Sequence, residues 1–313
     1  MKRMVQSVQS GSNVMNILDL VGNTPLLELK KISRETGGVS IYAKAEFCNP
    51  SGSVKDRAAR AMILKGIESG ALGPGKTVID ATSGNTGIAY AMIGAALGFP
   101  VTLYLPANAS AERKRIMKSY GAVIVETSPL ESSDGAFLAA QAAVAGEPGR
   151  YFYPNQYHND ANWLSHYETT GPEIWKQTGG RVTHFICGMG TSGSFMGISR
   201  RLKDYNRDIR AIAVQPDSPF HGIEGTKHMG STIKPGFYDE TWPDEFMEVG
   251  TEGAYAMTRR LAGEEGIFAG ISSGANALAA LRLARTLPQG SVVVTLLCDS
   301  GSRYLSDSFW DRP

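Results

Sequence analysis

Residues 183–194 read THFICGMGTSGS, in which a strand-forming apolar run passes directly into a turn with three glycines. The stretch FMGISRRLKDY, which follows at once, has apolar residues at helical spacing. A strand–turn–helix unit of this kind exposes backbone N–H groups at a helix N-terminus, where the helix dipole also favours an anion. The turn is therefore a candidate phosphate site, formed by Gly190, Thr191, Ser192, Gly193 and Ser194.

The same alternation of short β-branched runs and helical stretches continues along most of the chain. Strands are predicted at IYAKAE (41–46), TVIDAT (77–82), VTLYLP (101–106), AVIVET (122–127), THFICG (183–188), IRAIAVQP (209–216) and VVVTLLC (292–298). Helices are predicted over 55–69, 86–97, 109–119, 134–145, 193–203, 252–265 and 273–286. This pattern is typical of an α/β protein with mostly parallel sheets flanked by helices. Residues 217–245 lack periodicity, so we expect a long loop there, which in a compact domain is often functional.

A glycine-rich turn after a strand also occurs at dinucleotide sites, which makes a nicotinamide-dependent enzyme an alternative. Such a site needs an acidic residue about 20 positions further on to bind the ribose. Here the next predicted strand ends in Gln215 and Pro216. We therefore favour a site for the phosphate of a ligand other than a dinucleotide. The alternative that the turn serves only tight packing is left open.

Composition excludes several other classes of function. The 313-residue chain has 31 basic and 30 acidic residues, so it carries no excess charge that would hold nucleic acid or an anionic membrane. Its most apolar region, 89–106, is interrupted by two glycines and a proline, so it lacks the ~18 uninterrupted apolar residues of a membrane helix. The three cysteines are far apart, and the histidines lack the spacing of metal ligands. We expect a cytoplasmic protein without a metal, with residues 1–15 as a loose arm.

A second glycine-rich turn lies in DATSGNTGIAYAM, residues 80–92. Its hydroxyl groups, side-chain amide and bare N–H groups converge without a basic residue, which suits a carboxylate or another acceptor oxygen. An ordinary helix N-cap is the alternative. The candidate ligands are Thr82, Ser83, Asn85 and Thr86.

Lys55 stands in NPSGSVKDR, residues 49–57, at or near the start of a predicted helix. The dipole at a helix start disfavours a cation, and with partial burial it lowers the pKa of a lysine. The neutral amine that results can form a Schiff base with a carbonyl compound. An exposed lysine in an ordinary ion pair is the alternative.

Together, NPSGSVKDR, TSGNTG, GMGTSGS and GISSGAN closely resemble, in this order, the fold-type-II enzymes that use pyridoxal 5'-phosphate (PLP), and specifically the cysteine synthases, or O-acetylserine sulfhydrylases. The similarity runs from VGNTPLLEL at 21–29 to CDSGSRYLS at 298–306. The stretch TTGPEIWKQTGGRVTHF and the pair Cys298–Asp299 are most similar to the B isozyme. One position differs, because Ser192 stands where the family's phosphate loop usually has a glycine.

The resemblance implies a role for each candidate residue. Lys55 would form the Schiff base with PLP, Asn85 would bind its ring hydroxyl, and Ser272 would face its pyridine nitrogen. The phosphate would lie on Gly190, Thr191, Ser192, Gly193 and Ser194. The substrate would be bound by Thr82, Ser83, Asn85, Thr86 and Gln156, and Gly222 would line the entrance.

The resemblance also implies a two-lobed homodimer that acts on small molecules. Residues 48–157 would form a smaller mobile lobe that closes on the substrate, and 1–47 and 158–313 would form the larger PLP-binding lobe. The implied reaction is a β-replacement that converts O-acetyl-L-serine and a sulfur donor into L-cysteine. Sulfide, thiosulfate or a thiocarboxylated carrier protein could supply the sulfur, and the motifs do not choose among them.

Three alternatives stay open beside this reaction. Cystathionine β-synthases and O-phosphoserine sulfhydrylases share all four motifs. A regulatory protein that binds PLP but has lost turnover would also keep the fold, although its hallmark would be a missing lysine or asparagine. O-phospho-L-serine would be a competent second donor if Lys227, in the irregular segment, pointed into the site.

Overall fold

The computed structural model describes residues 15–82, 84–232 and 234–311 of the chain. The arm expected at residues 1–15 lies outside this part, apart from its last residue. The strands are β1 (Leu26–Glu28), β2 (Ser40–Ala45), β3 (Thr77–Ala81), β4 (Val101–Pro106), β5 (Val123–Thr127), β6 (Tyr151–Phe152), β7 (His184–Gly188), β8 (Arg210–Pro216), β9 (Glu245–Val249) and β10 (Val292–Leu297).

Helices fill most of the intervals between these strands. They are α1 (Lys30–Ser33), α2 (Lys55–Glu68), α3 (Asn85–Leu97), α4 (Ala111–Ser119), α5 (Ser132–Gly146), α6 (Ala161–Ser165), α7 (Gly171–Gln177), α8 (Gly193–Tyr205), α9 (Thr251–Glu265) and α10 (Ile271–Ala284). A π-helical turn, His166–Thr170, joins α6 to α7. All strands and helices predicted from the sequence are confirmed, with bounds that shift by no more than a few residues.

Two sheets organise the fold. The first has the strand order β1-β2-β10-β7-β8-β9 and is parallel except for β1, which pairs antiparallel with β2. The second is wholly parallel, in the order β5-β4-β3-β6, and its strands lie between residues 77 and 152. The expected α/β architecture with mostly parallel sheets is therefore confirmed. The lobe boundaries at 48 and 157, and the movement of the smaller lobe, stay predictions.

The core explains why the sequence of β10, VVVTLL, is apolar at every position except Thr295. Every side chain of β10 is buried, because helices cover both faces of the six-stranded sheet. Val293 and Leu297 pack into the apolar cluster on one face, whereas Val294 and Leu296 pack into the cluster on the other. A third cluster surrounds the four-stranded sheet. No helix in the described part of the chain is long and apolar enough to cross a membrane.

Candidate active site

A cavity of about 450 Å³ lies where loops from both sheets meet. A smaller cavity of about 30 Å³ adjoins it, and both are lined by Lys55, Asn85, Gly190, Thr191, Gly225 and Thr226. The loops after β3 and β7 reach this place from the carboxyl ends of parallel strands, which is where ligands bind in open α/β sheets. The two glycine-rich turns and the lysine are thus brought together.

Lys55 is the first residue of α2, as the sequence predicted. The preceding loop is held by Asp56, whose carboxylate accepts hydrogen bonds from the backbone N–H of Ser51, at 2.6 Å, and from the Ser51 hydroxyl. Burial lowers the pKa of the Lys55 amine, and the nearby Cys298, Cys187 and Asp299 oppose that shift in part. The amine is therefore more readily available in its neutral form than that of an exposed lysine.

A buried ion cluster fixes the start of α2 two residues beyond Lys55. Arg57 Nε lies 2.8 Å from Glu46 Oε2, and Arg57 Nη1 lies 2.6 Å from Glu173 Oε1. Lys44 Nζ lies 2.7 Å from Glu173 Oε2. Removing one member of such a buried pair typically costs about 3–5 kcal/mol, because the other charge is left uncompensated. These contacts therefore hold the helix that carries Lys55 against β2 and α7.

The loop after β3 presents Thr82, Asn85 and Thr86 to the larger cavity. Thr86 Oγ1 donates to Gln156 Oε1 at 3.0 Å, and Gln156 Nε2 donates to the Ala81 carbonyl at 3.2 Å. Gln156 thus lines the same cavity as the loop, as the resemblance implied. Ser83, the remaining candidate of this loop, lies outside the described residues.

The loop after β7 forms a narrow cradle in the smaller cavity. A Cβ on Gly190 would collide with the Gly225 carbonyl oxygen, and one on Gly193 would collide with the Asn162 side chain. Ser192 has φ 61°, in the left-handed region that favours glycine. Its hydroxyl oxygen is buried and has no hydrogen-bond partner among the described residues.

These features fit a bound phosphate group. The cradle has room for backbone N–H groups to approach an anion closely, and the buried Ser192 hydroxyl lacks a partner that a phosphate oxygen would supply. Ser194 Oγ lies 3.2 Å from His166 Nε2, and burial lowers the pKa of His166 to about 3. The imidazole next to the loop is therefore neutral.

Ser272, at the start of α10, lines the smaller cavity. Its neighbour Ser273 is fully buried, and the Ser273 hydroxyl accepts a hydrogen bond from the backbone N–H of Cys298 at 2.9 Å. Of the two serines, Ser272 is thus the one available to a ligand. Burial raises the pKa of the Cys298 thiol to about 11, and the Asp299 carboxylate adds to that shift, so Cys298 is a poor nucleophile.

Two candidates from the irregular segment differ in their position. Lys227 lines the larger cavity, with Nζ 4.6 Å from the ring centre of Tyr157. Gly222 is not among the lining residues; its N–H donates to Thr251 Oγ1 at 2.9 Å, and its neighbour His221 lines the cavity instead. The role of Gly222 at the entrance stays a prediction.

Several lining residues were not identified from the sequence. Arg113 of α4 forms an ion pair with Glu224, and its guanidinium carbon lies 4.9 Å from the ring centre of Tyr304. All three line the larger cavity. They come from three distant parts of the chain, so no local spacing signals their meeting. Among the described residues, no group of three or more His, Cys, Asp or Glu side chains could hold a metal ion.

A lysine at a helix start, a glycine-rich cradle and a serine at the start of a second helix, set between two α/β layers, are the features expected of a fold-type-II PLP enzyme. A family model described as pyridoxal-phosphate dependent enzyme matches residues 17–299. The chain therefore belongs to the pyridoxal-phosphate-dependent enzyme family, and PLP is its cofactor.

Within that family, the chain belongs with the cysteine synthases. It is 52% identical over 299 residues to a cysteine synthase of Aquifex aeolicus, covering 94% of this chain and 91% of the relative. It is 41% identical over 293 residues to cysteine synthase B of Salmonella typhimurium, covering 93% and 95%. The crystal structure of a cysteine synthase from Entamoeba histolytica superposes with a TM-score of 0.91 at 35% identity and covers 98% of this chain and 94% of that one.

Proposed function

We propose that the protein is a cysteine synthase that replaces the acetoxy group of O-acetyl-L-serine with sulfur. The single observation that carries this proposal is the meeting of Lys55 with both glycine-rich loops around one cavity. The cysteine synthases among its relatives, at up to 52% identity, support the same activity.

The residues proposed to hold PLP lie in the wall of the smaller cavity, and several of them, including Lys55 and Asn85, also line the larger one. Backbone N–H groups from Gly190 to Ser194 would bind the phosphate, and Lys55 would bind the cofactor covalently. Asn85 would bind the ring hydroxyl of the cofactor, and Ser272 would face its ring nitrogen. When bound, PLP supplies an electron-withdrawing ring that makes the α-proton of an amino acid acidic and permits loss of a β-substituent. A neutral serine hydroxyl cannot hold the ring nitrogen protonated, so electron withdrawal stays partial, which favours elimination over transamination.

Lys55 Nζ is proposed as the base that removes the α-proton of the substrate. Later in the reaction, the same nitrogen returns a proton to the substrate. Burial favours this role, because it lowers the pKa of the amine and so raises the neutral fraction near neutral pH. Thr82, Ser83, Thr86 and Gln156 are proposed to bind the α-carboxylate. Closure of the lobe 48–157 on that carboxylate would exclude water from the reacting atoms.

The proposed donors are O-acetyl-L-serine and, through Lys227, O-phospho-L-serine. The support for the second donor is that the Lys227 amine lines the cavity wall. A charged hydrogen bond to phosphate contributes about 1.5–3 kcal/mol, which corresponds to roughly ten- to a hundredfold in kcat/KM. Lys227→Ala should lower kcat/KM for O-phosphoserine by that factor and leave O-acetylserine nearly unchanged. Lys234→Ala is the control, since Lys234 lies in the same segment and pairs with Glu240 at 2.5 Å.

Two further features are proposed from the family resemblance. The protein is proposed to form a homodimer and to work in the cytoplasm. The dimer can be checked by light scattering of the purified holoenzyme.

The activity is tested by incubating the purified holoenzyme with O-acetylserine and sulfide, and with O-acetylserine and thiosulfate, and measuring L-cysteine. Formation of L-cysteine with either sulfur donor is the expected result. A protein that binds PLP but forms no cysteine would favour the regulatory alternative. Faster formation of cystathionine from homocysteine than of cysteine would favour a cystathionine β-synthase.

A further inference from the structure

Asn85, the first residue of α3, lies against two charged side chains from the segment that follows β10. Its amide nitrogen donates to Asp299 Oδ2 at 2.7 Å. Its amide oxygen accepts a hydrogen bond from the guanidinium of Arg303. Both charged residues are buried, whereas Asn85 lines both cavities.

These two partners allow only one orientation of the Asn85 amide. A carboxylate accepts hydrogen bonds, whereas a guanidinium only donates them. With its amide reversed, Asn85 would turn its N–H groups toward Arg303 and its oxygen toward the carboxylate, and both hydrogen bonds would be lost. The observed orientation uses one N–H of the amide and leaves the second N–H for a ligand in the cavity.

Asp299 is itself held in place from three sides. The Tyr304 hydroxyl donates to Asp299 Oδ2 at 2.8 Å, and the backbone N–H of Gly270 donates to the Asp299 carbonyl at 3.0 Å. A β-bridge joins Asp299 to Ser53, two residues before Lys55. Any side chain on Gly270 would collide with the carboxylate, which explains the glycine there. Asp299 therefore has a fixed position relative to Lys55 and to the start of α10.

We propose that Asp299 is a positioning residue that orients the Asn85 amide toward the ring-hydroxyl oxygen of PLP. This inference rests on the proposed function, in which Asn85 binds that oxygen. An N–H held toward the oxygen stabilises its anionic form. Arg303 also helps to orient the Asn85 amide. Because its guanidinium donates to the Ser51 carbonyl as well, it connects Asn85 to the loop that carries Lys55.

The test is a double-mutant cycle on PLP affinity, measured by titrating cofactor-free protein with PLP. Asp299→Ala should weaken binding about tenfold, the order expected when a hydrogen bond to a charged group is lost. Asn85→Ala should weaken it by a similar factor. The double variant should be no weaker than Asn85→Ala, because Asp299 acts through the asparagine.

A second variant separates hydrogen bonding from general damage to the fold. Asp299→Asn keeps an oxygen where Asn85 and Tyr304 donate, so it should restore most of the affinity and the visible absorbance of the bound cofactor. Additive effects of the two alanine substitutions, or an Asp299→Asn variant as weak as Asp299→Ala, would overturn the proposal. If Asn85→Ala alone leaves PLP affinity unchanged, the proposed role of Asn85 fails as well, whereas the activity is judged separately by cysteine formation in the wild type.

Discussion

At the scale of single residues, Ser192 combines an unfavourable backbone conformation with a hydroxyl placed for a ligand. Its φ of 61° typically costs a residue other than glycine about 1–3 kcal/mol, and its buried hydroxyl has no partner among the described residues. Ser192→Gly should therefore raise the melting temperature of the cofactor-free protein, by about 2–4 °C for each kcal/mol of strain that it removes. The same change should weaken PLP binding, because one donor to the phosphate is lost.

Asn23→Gly is the matched control for Ser192→Gly. Asn23 also has a positive φ, 49°, and does not line either cavity. Its substitution should stabilise the protein without changing PLP affinity. Calorimetry and PLP titration measure the two effects separately. A Ser192→Gly variant that binds PLP as tightly as the wild type would show that the hydroxyl does not contact the phosphate.

At the scale of elements, β3 contains a buried acid that should make stability depend on pH. Asp80 is buried, accepts a hydrogen bond from the Ala81 N–H at 2.8 Å, and lies close to the buried hydroxyl of Tyr90. Burial raises the pKa of Asp80 from 3.8 to about 7. Between those two pH values the folded protein keeps a proton that the unfolded chain has lost. Asp80 therefore lowers the free energy of unfolding progressively as the pH rises from about 4 to about 7.

Asp80→Asn removes this titration and should melt at a higher temperature than the wild type at pH 8. The difference between the two proteins should shrink as the pH falls toward 4, since Asp80 is then neutral in both the folded and the unfolded chain. Thermal melts over this pH range make the comparison. A difference in melting temperature that is the same at all pH values would contradict this prediction, because it would show that Asp80 does not titrate between pH 4 and pH 8.

Helix α4 reaches across the larger cavity through the ion pair of Arg113 with Glu224. Glu224 follows β8 of the six-stranded sheet, and the Arg113 guanidinium also lies against Gly84, where an added Cβ would come within 3.0 Å of Nη1. The pair therefore connects the loop after β3, which we propose binds the carboxylate, to the opposite wall of the cavity. The Glu224 side chain is 48% exposed whereas that of Arg113 is 6% exposed, so solvent screens the pair only from the Glu224 side.

Glu224→Gln should raise the KM for O-acetylserine about twofold to fivefold, with little change in kcat, because the loop is held less firmly before the substrate binds. Glu126→Gln is the control, since it breaks the ion pair with Lys114 of the same helix, at 2.8 Å, away from the cavity. Steady-state kinetics distinguish the two variants. An equal rise in KM for both variants would mean that the effect comes from a general change in α4 and not from loss of the Arg113–Glu224 ion pair.

At the scale of the whole molecule, the sequence predicted the long elements and the four motifs because each has a local signal. The helix start at Lys55 and the strand–turn–helix unit at 183–205 are examples. The sequence did not predict β1, β6 or β9. Strands β1 and β6 have three and two residues, which is too short to show an alternation of apolar and polar side chains, and β9 follows an irregular segment. It also missed the partners of Asn85, since residues 299 and 303 meet it only through folding.

The central claim, that Lys55 carries PLP in the cavity between the two sheets, is tested most directly by reducing the holoenzyme with borohydride and mapping its peptides. Reduction makes the bond between a lysine and PLP permanent, so the modified residue can be identified by mass spectrometry. We predict that the phosphopyridoxyl group is found on Lys55. A label on another lysine of the cavity wall, such as Lys227, would contradict it.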